Sequence, residues 1–204
     1  MDNAVETIEY LGHQIEIFPD MNPESPREWD NLCVFHIAHK RYAFGDVNHN
    51  SLESIKEAEK EAKRNGDIIL PLYMYDHSGI TISLSPFSCP WDSGQVGFVA
   101  IPRKKAIEEF GKKVFTKKIK EKALRIAHCE VESLDYYIRG DMYGYMIDDG
   151  EDSCWGYFGI KDCTEQAKEV VDYMVKQEKK EYCEKVKQWI KNKVPLIYRK
   201  ELAP

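Results

Sequence analysis

Short apolar segments separated by turn-forming residues recur along this chain, and that pattern constrains the fold more than any other feature. In residues 5–18, VETIEYLGHQIEIF, apolar residues alternate on both sides of Leu11-Gly12-His13, where Gly12 allows a tight turn. Such spacing favours hairpins over crossover connections. We expect further strands at 31–37, 67–75, 79–84, 96–101, 142–147 and 155–160.

Helical segments lie between these strands and carry recognisable ends. Ser51 is a good N-cap for a helix that ends at Asn65-Gly66. Further helices are predicted to begin at Pro102, to span Thr116–Tyr137 and to span Thr164–Lys193. The pattern predicts an α+β fold with a mostly antiparallel sheet and long helices packed on one face. We expect residues 1–160 to form the core domain and residues 161–204 to form a C-terminal helix packed on it or extending from it.

Composition and charge exclude several classes of protein. The chain has 204 residues, of which 43% are hydrophobic and 31% charged, as in ordinary globular proteins. Its net charge of -6 opposes nucleic-acid binding. No apolar run reaches the roughly 20 residues that a membrane span needs. The acidic first residues, MDNAVETIEY, lack the apolar core of a secretory signal, so we expect a cytoplasmic protein.

The six cysteines form no CxxC pair, so a zinc ribbon is not expected, and we predict reduced thiols. Cys33, His36 and His39 suggest a metal site at first sight. On a strand, however, Cys33 and His36 face opposite sides, as do His36 and His39. The acids between Asp148 and Asp152 lack the EF-hand spacing and indicate an acidic hairpin tip. We therefore predict neither a metal nor a cofactor.

Two neighbouring segments, LPLYMYDHSGITIS (70–83) and SPFSCPWDSGQVG (85–97), contain many chemically capable side chains. One hypothesis is a hydrolase, with His77 as general base, Cys89 or Ser78 as nucleophile and Asp76 or Asp92 as orienting acid. The structural alternative is a polar turn in which Asp76 caps backbone amides and Cys89 is a packing thiol.

The string Trp91-Asp92-Ser93-Gly94-Gln95 is the strongest candidate for ligand binding. A tryptophan in a loop rich in Pro and Gly either caps the core or stacks on a ligand. Asp92, Ser93 and Gln95 add hydrogen-bonding groups of the kind that bind ribose hydroxyls or base edges. Gly94 and Gly97 allow close backbone approach. The alternative is a core-capping tryptophan beside a polar turn.

Aromatic residues also alternate with polar or charged residues elsewhere in the chain. Arg41 is suited to clamp a phosphate or a carboxylate. Together with Asp76, His77, Ser78, Trp91, Asp92, Ser93 and Gln95, the predicted ligand-binding residues are Arg27, Trp29, Asn31, His39, Arg41, Tyr42, Asp46 and Trp155.

Several of these strings resemble a family of small proteins encoded by bacteriophages and other mobile elements. The strings are NPESPREWDNL, HKRYAFGD, YMYDHSGITIS, PFSCPWDSGQVGF and DSCWGYFG, and the resemblance runs from about Asp20 to Gly159. It implies an accessory protein that is made in the host cytoplasm during infection and directed at host defence. It implies no catalytic residues.

Three functional hypotheses follow. The first is a binding protein without turnover, for a small nucleotide-like ligand or a host defence protein. Ligand capture at loop tips often uses two copies of a chain, so a homo-oligomer is a further expectation. The second is the Cys/His- or Ser/His-dependent hydrolase. The third is an acidic inhibitor that occupies the basic groove of a host nucleic-acid enzyme.

Overall fold

The computed structural model describes residues 4–195 and contains strands and helices in an α+β arrangement, as predicted. The strands are β1 (Glu6–Tyr10), β2 (His13–Pro19), β3 (Val34–Ile37), β4 (Val47–Asn48), β5 (Ile68–Asp76), β6 (Ile80–Ser83), β7 (Ser93–Ile101), β8 (Met142–Ile147) and β9 (Asp152–Phe158). The helices are α1 (Leu52–Asn65), α2 (Arg103–Glu109), α3 (Lys117–Arg139) and α4 (Ile160–Lys193). No helix within these described residues is long and apolar enough to cross a membrane.

The chain divides into two compact units, each with its own sheet. Of the described residues, 4–20 and 143–195 form the first unit, and 21–142 form the second. The division therefore falls at residues 20 and 142 and not at the expected boundary after residue 160. Strand β2 pairs with β8, which joins the beginning of the chain to its last third. Local sequence does not reveal this long-range pairing.

The first unit is a four-stranded sheet in the order β1-β2-β8-β9, covered on one face by α4. The predicted hairpin is present, and its two turn residues, Leu11 and Gly12, both have positive φ. Such a turn matches the natural twist of two antiparallel strands. Alternate residues of β2, including Ile15 and Ile17, are fully buried beneath Ala167 and the rest of the apolar side of α4.

The second unit is a five-stranded sheet in the order β4-β3-β7-β5-β6, and only the β3–β4 pair is parallel. Successive side chains of β7 pack alternately in two hydrophobic clusters, one on each face of the sheet. Val99 and Ile101 pack in the cluster that contains the apolar side of α3, whereas Phe98 and Ala100 pack against α1. The long helix α3 therefore covers one face of the sheet and the shorter α1 covers the other.

Helix ends follow the capping signals in the sequence. The Ser51 side chain accepts a hydrogen bond from the Ser54 amide, and Gly66 ends α1 in the left-handed conformation. Thr116 and Gly140 do the same for α3. Pro102 lies one position before α2, as its N-cap, and not at the first helical position.

The loop predicted between β6 and β7 is shorter than expected, because β7 begins at Ser93 and takes in Ser93, Gly94 and Gln95. The register against β5 shifts between Leu72 and Tyr73, which leaves Val96 as an extra residue on β7. A bulge of this kind bends a strand and redirects its side chains. The bulge lies where β7 reaches the candidate site.

Candidate ligand-binding cleft

An open, largely polar cleft of about 360 Å³ lies at one end of the five-stranded sheet. Three segments meet there: the chain that leaves β3, the end of β5, and the connection that enters β7. The cleft brings together seven of the residues predicted from sequence, namely His39, Arg41, Asp76, Trp91, Asp92, Ser93 and Gln95. Ala38, Met74, Gly94 and Val96 complete its lining.

Asp76 links the three segments that form the cleft, because it is the last residue of β5 and contacts both other segments. Its carboxylate accepts a hydrogen bond from the guanidinium of Arg41, and its amide donates to the carbonyl of Asp92 at 2.9 Å. The Asp76 side chain is 23% exposed and that of Arg41 is 69% exposed. The Asp76 carboxylate therefore lies in the wall of the cleft, and the Arg41 guanidinium lies at its solvent-exposed edge.

His77 interacts with a different acid from its sequence neighbour. The chain turns after Asp76, with Ser78 at positive φ and the His77 amide bonded to the Gly79 carbonyl. This turn directs the imidazole to Asp92, whose Oδ2 lies 3.2 Å from His77 Nδ1. The same oxygen accepts a hydrogen bond from Cys89 Sγ at 3.7 Å.

The two predicted loops therefore meet at the carboxylate of Asp92. In a nucleophile–base–acid triad the imidazole lies between the nucleophile and the acid. Here the acid contacts both the thiol and the imidazole, so the order differs from that of a triad. Ser78, the second candidate nucleophile, is exposed at the turn between β5 and β6 and does not line the cleft.

Within residues 4–195, Trp91 is the most exposed of the large apolar side chains, with 91% of its surface accessible. The backbone on both sides of it is held. The Ser93 hydroxyl donates to the Cys89 carbonyl, and the Asp92 carbonyl accepts from Asp76. Gln95 donates through Nε2 to the Gly97 carbonyl at 3.1 Å. The indole is therefore an exposed aromatic surface on an anchored loop, which excludes the core-capping alternative.

The segment that leaves β3 supplies His39 and Arg41 to the cleft. The His39 ring stacks on Tyr42, with ring centroids 4.9 Å apart and planes 7° from parallel. Tyr42 itself packs against the main core of the unit. Tyr42, predicted as a ligand contact, lies instead behind His39 and supports it.

Arg27, Asn31 and Asp46 do not line the cleft. Arg27 forms a two-pronged pair with Asp46 at 3.0 and 2.7 Å, bonds Glu130 at 2.9 Å and donates to the Cys33 carbonyl at 2.8 Å. Asn31 donates to the carbonyls of Pro26 and Trp29. These polar groups hold the segment before β3 against α3.

Trp29 and Trp155 also lie outside the lining of the cleft. Trp29 is 45% exposed and follows a short 3-10 helix. Trp155 belongs to the first unit, where its ring lies so close to Gly144 that a Cβ atom there would be 2.2 Å from Trp155 Cε3, and its ring centroid is 6.2 Å from that of Phe18. Trp155 therefore packs partly against its own sheet and is 48% exposed.

His36 has an imidazole partner that the sequence did not indicate. His36 Nδ1 lies 3.0 Å from His49 Nε2, and His49 Nδ1 lies 2.8 Å from Ser54 Oγ. Burial is the main reason that the pKa of each imidazole is below its ordinary value. Among residues 4–195, no group of three or more His, Cys, Asp or Glu side chains could hold a metal ion.

Some residues that form or support the cleft could not be identified from local sequence. Glu130, in the middle of α3, accepts hydrogen bonds from Arg27 and from the amides of Leu32 and Cys33. It is about 100 positions away from these partners, so no local motif indicates the contact. Met74 and Val96 also line the cleft, and the bulge that leaves Val96 as an extra residue on β7 is revealed only by the strand register.

Comparisons with known proteins return no match: no family model, no curated protein and no solved structure resembles the chain. The fold and the cleft therefore define the class to which the chain can be assigned. It is an α+β protein with an open polar cleft at the end of its five-stranded sheet, edged by an exposed tryptophan and an arginine.

Proposed function

We propose that the protein binds a small, anionic, nucleotide-like ligand in this cleft and holds it without turnover. One observation carries the proposal. Trp91, which is 91% exposed, stands on an anchored loop at the edge of a cleft that Arg41 also lines. An indole stacks on a base, and a guanidinium neutralises a phosphate or carboxylate.

The other polar groups suit the remaining parts of such a ligand. Asp92 offers carboxylate oxygens of the kind that accept hydrogen bonds from ribose hydroxyls. His39 adds an imidazole on the same side of the cleft as Arg41. The volume of about 360 Å³ lies within the usual range for small-ligand sites.

The arrangement of His77, Cys89 and Asp92 favours capture over hydrolysis. Both Sγ of Cys89 and Nδ1 of His77 contact Asp92 Oδ2, so the carboxylate joins the thiol and the imidazole. Such a network stiffens the loop that carries Trp91. The biological setting in our proposal comes from the resemblance to phage proteins: an accessory protein, in the cytoplasm of the infected host, that withholds a signalling molecule from host defence.

A thermal-shift screen tests the proposal. The purified protein is heated with nucleotides, cyclic nucleotides and ADP-ribose derivatives, and each ligand that shifts the melting temperature is recovered and analysed by chromatography. A ligand at about 100 times its dissociation constant stabilises the native state by about 2.7 kcal/mol, which raises Tm by about 5–10 °C.

Recovery of the intact ligand supports capture. A chemically altered ligand rejects capture in favour of the hydrolase hypothesis, and His77 and Cys89 become the first positions to vary. If no compound shifts Tm, the small-ligand proposal fails and a host protein becomes the partner to seek.

A further inference from the structure

A second cavity, of about 410 Å³, lies between the end of α2 and the beginning of α3. It shares no lining residue with the cleft described above. Phe110, Val114 and Ile119 provide its apolar surface, and Thr116 lies among them. Four lysines surround them: Lys112, Lys113, Lys118 and Lys122.

The apolar part of the cavity is formed by residues that the fold itself holds in place. Ile119 is buried on α3, and Phe110 packs against the core of the unit. Val114, in the connection between the helices, is 65% exposed. Water therefore covers an apolar surface here, and an apolar ligand group would release that water at a gain in free energy.

The charges around the cavity are of one sign. No acidic residue lines it, and no ion pair formed within residues 4–195 uses any of its four lysines. Lys122 instead places its ammonium group 5.6 Å from the centroid of the Phe110 ring. This concentration of positive charge stands out in a chain whose net charge is -6.

We propose that this cavity is a binding site for a small amphiphilic organic anion, a molecule with an apolar body and one carboxylate or sulfonate group. The body would occupy the surface of Phe110, Val114 and Ile119, and the anionic group would face the lysines. A nucleic acid fits less well, because the cavity is concave and apolar and the chain carries a net negative charge. The proposal is independent of the function proposed for the cleft.

Fluorescence with 8-anilino-1-naphthalenesulfonate tests this site, since the probe has an aromatic body and one sulfonate. We expect saturable binding of one probe molecule per chain under native conditions. Decanoate should displace it, whereas decanol, which has the same chain without the charge, should not. The double substitution Lys118→Gln/Lys122→Gln should weaken probe binding about tenfold or more, because charged contacts are lost.

The matched control is Lys56→Gln/Lys60→Gln on the exposed side of α1, which should leave probe binding unchanged. Val114→Asp should abolish binding, and since Val114 is largely exposed this variant should melt like the parent protein. The proposal is rejected if decanol competes as well as decanoate, or if both lysine pairs behave alike. It is also rejected if a single-stranded oligonucleotide displaces the probe better than decanoate does.

Discussion

Gly97 lies against the backbone of His36 so closely that a Cβ atom at position 97 would be 1.9 Å from the His36 carbonyl oxygen. The two residues belong to β7 and β3, neighbouring strands of the five-stranded sheet. The glycine at the end of the WDSGQVG string is therefore required by the pairing of the two strands. A larger residue would push apart the strands that position the cleft.

Substitution of this glycine should cost more than substitution of its near neighbour. We expect Gly97→Ala to lower the free energy of unfolding by about 3 kcal/mol or more, since backbone must move to admit the methyl group. Gly94→Ala is the control, because a Cβ atom there meets nothing within 4 Å. It should change stability by less than about 0.5 kcal/mol. Urea unfolding of both variants measures the difference, and equal stability would contradict the close approach.

Arg27 should prove to be a structural residue. Arg27→Ala removes the cation that joins Asp46 to Glu130 and leaves both acids without their shared partner. Loss of one member of such a buried network costs about 3–5 kcal/mol. Arg41→Ala breaks one exposed pair and should cost about 0–1 kcal/mol. Thermal or urea unfolding gives both values, and the reverse order would refute these roles.

His36 and His49 should destabilise the protein as pH falls. Burial lowers the pKa of His36 and of His49, so the unfolded chain takes up these protons first as pH falls. These two histidines therefore lower the free energy of unfolding below a pH of about 6.5, the ordinary pKa of histidine. His36→Phe should therefore reduce the loss of stability between pH 7 and pH 5, and unfolding curves at both pH values measure it.

His13 in the first unit should behave in the reverse manner. Its hydrogen bond to Asp148, at 2.6 Å, raises the pKa of the imidazole above its ordinary value. The folded state then binds the proton more tightly than the unfolded state does. Protonated His13 therefore contributes its full stabilisation below pH of about 6.5, and this stabilisation is lost as pH rises through the raised pKa of the folded state. NMR titration of the imidazole signals should place His13 above His36 and His49. The opposite order would contradict these contacts.

The cysteines should divide by burial when they are alkylated under native conditions. Burial raises the pKa of the Cys163 thiol to about 12 and also raises that of Cys33. Cys129 and Cys154 are exposed. We expect iodoacetamide to modify Cys129 and Cys154 long before Cys33 and Cys163, whereas all six should react in urea. Peptide mass spectrometry provides the measurement, and early modification of Cys163 would be inconsistent with its burial between α4 and the four-stranded sheet.

Local signals predicted the elements of this fold well, and long-range contacts account for what they missed. Ser51 and Gly66 mark the ends of α1 because capping depends on only a few neighbouring residues. The pairing of β2 with β8 joins residues more than 100 positions apart, so the division into two units was not predicted. Hydrophobic alternation identifies a strand but not its partner.

The candidate site shows the same limit. The residues of the WDSGQ string line a cleft, as the concentration of an aromatic and polar groups beside glycines suggested. The sequence did not reveal which of these side chains contact one another. His77 faces Asp92 and not the adjacent Asp76, because the turn at Ser78 redirects the chain. Arg27 and Asp46 are residue types suited to ligand binding, as Arg41 is. In the structure, however, Arg27 pairs with both Asp46 and Glu130, and these ion pairs stabilise the fold.

The location of the ligand is the central claim, and the Trp91→Ala variant tests it most directly. Because the indole is 91% exposed, its removal should leave the Tm of the free protein unchanged. Trp189→Ala, which removes an exposed tryptophan of the first unit, is the matched control. We predict that the nucleotide-like ligand from the screen raises the Tm of the parent protein and of Trp189→Ala by the same amount. It should raise the Tm of Trp91→Ala by much less. An equal shift in all three proteins would contradict the proposed site.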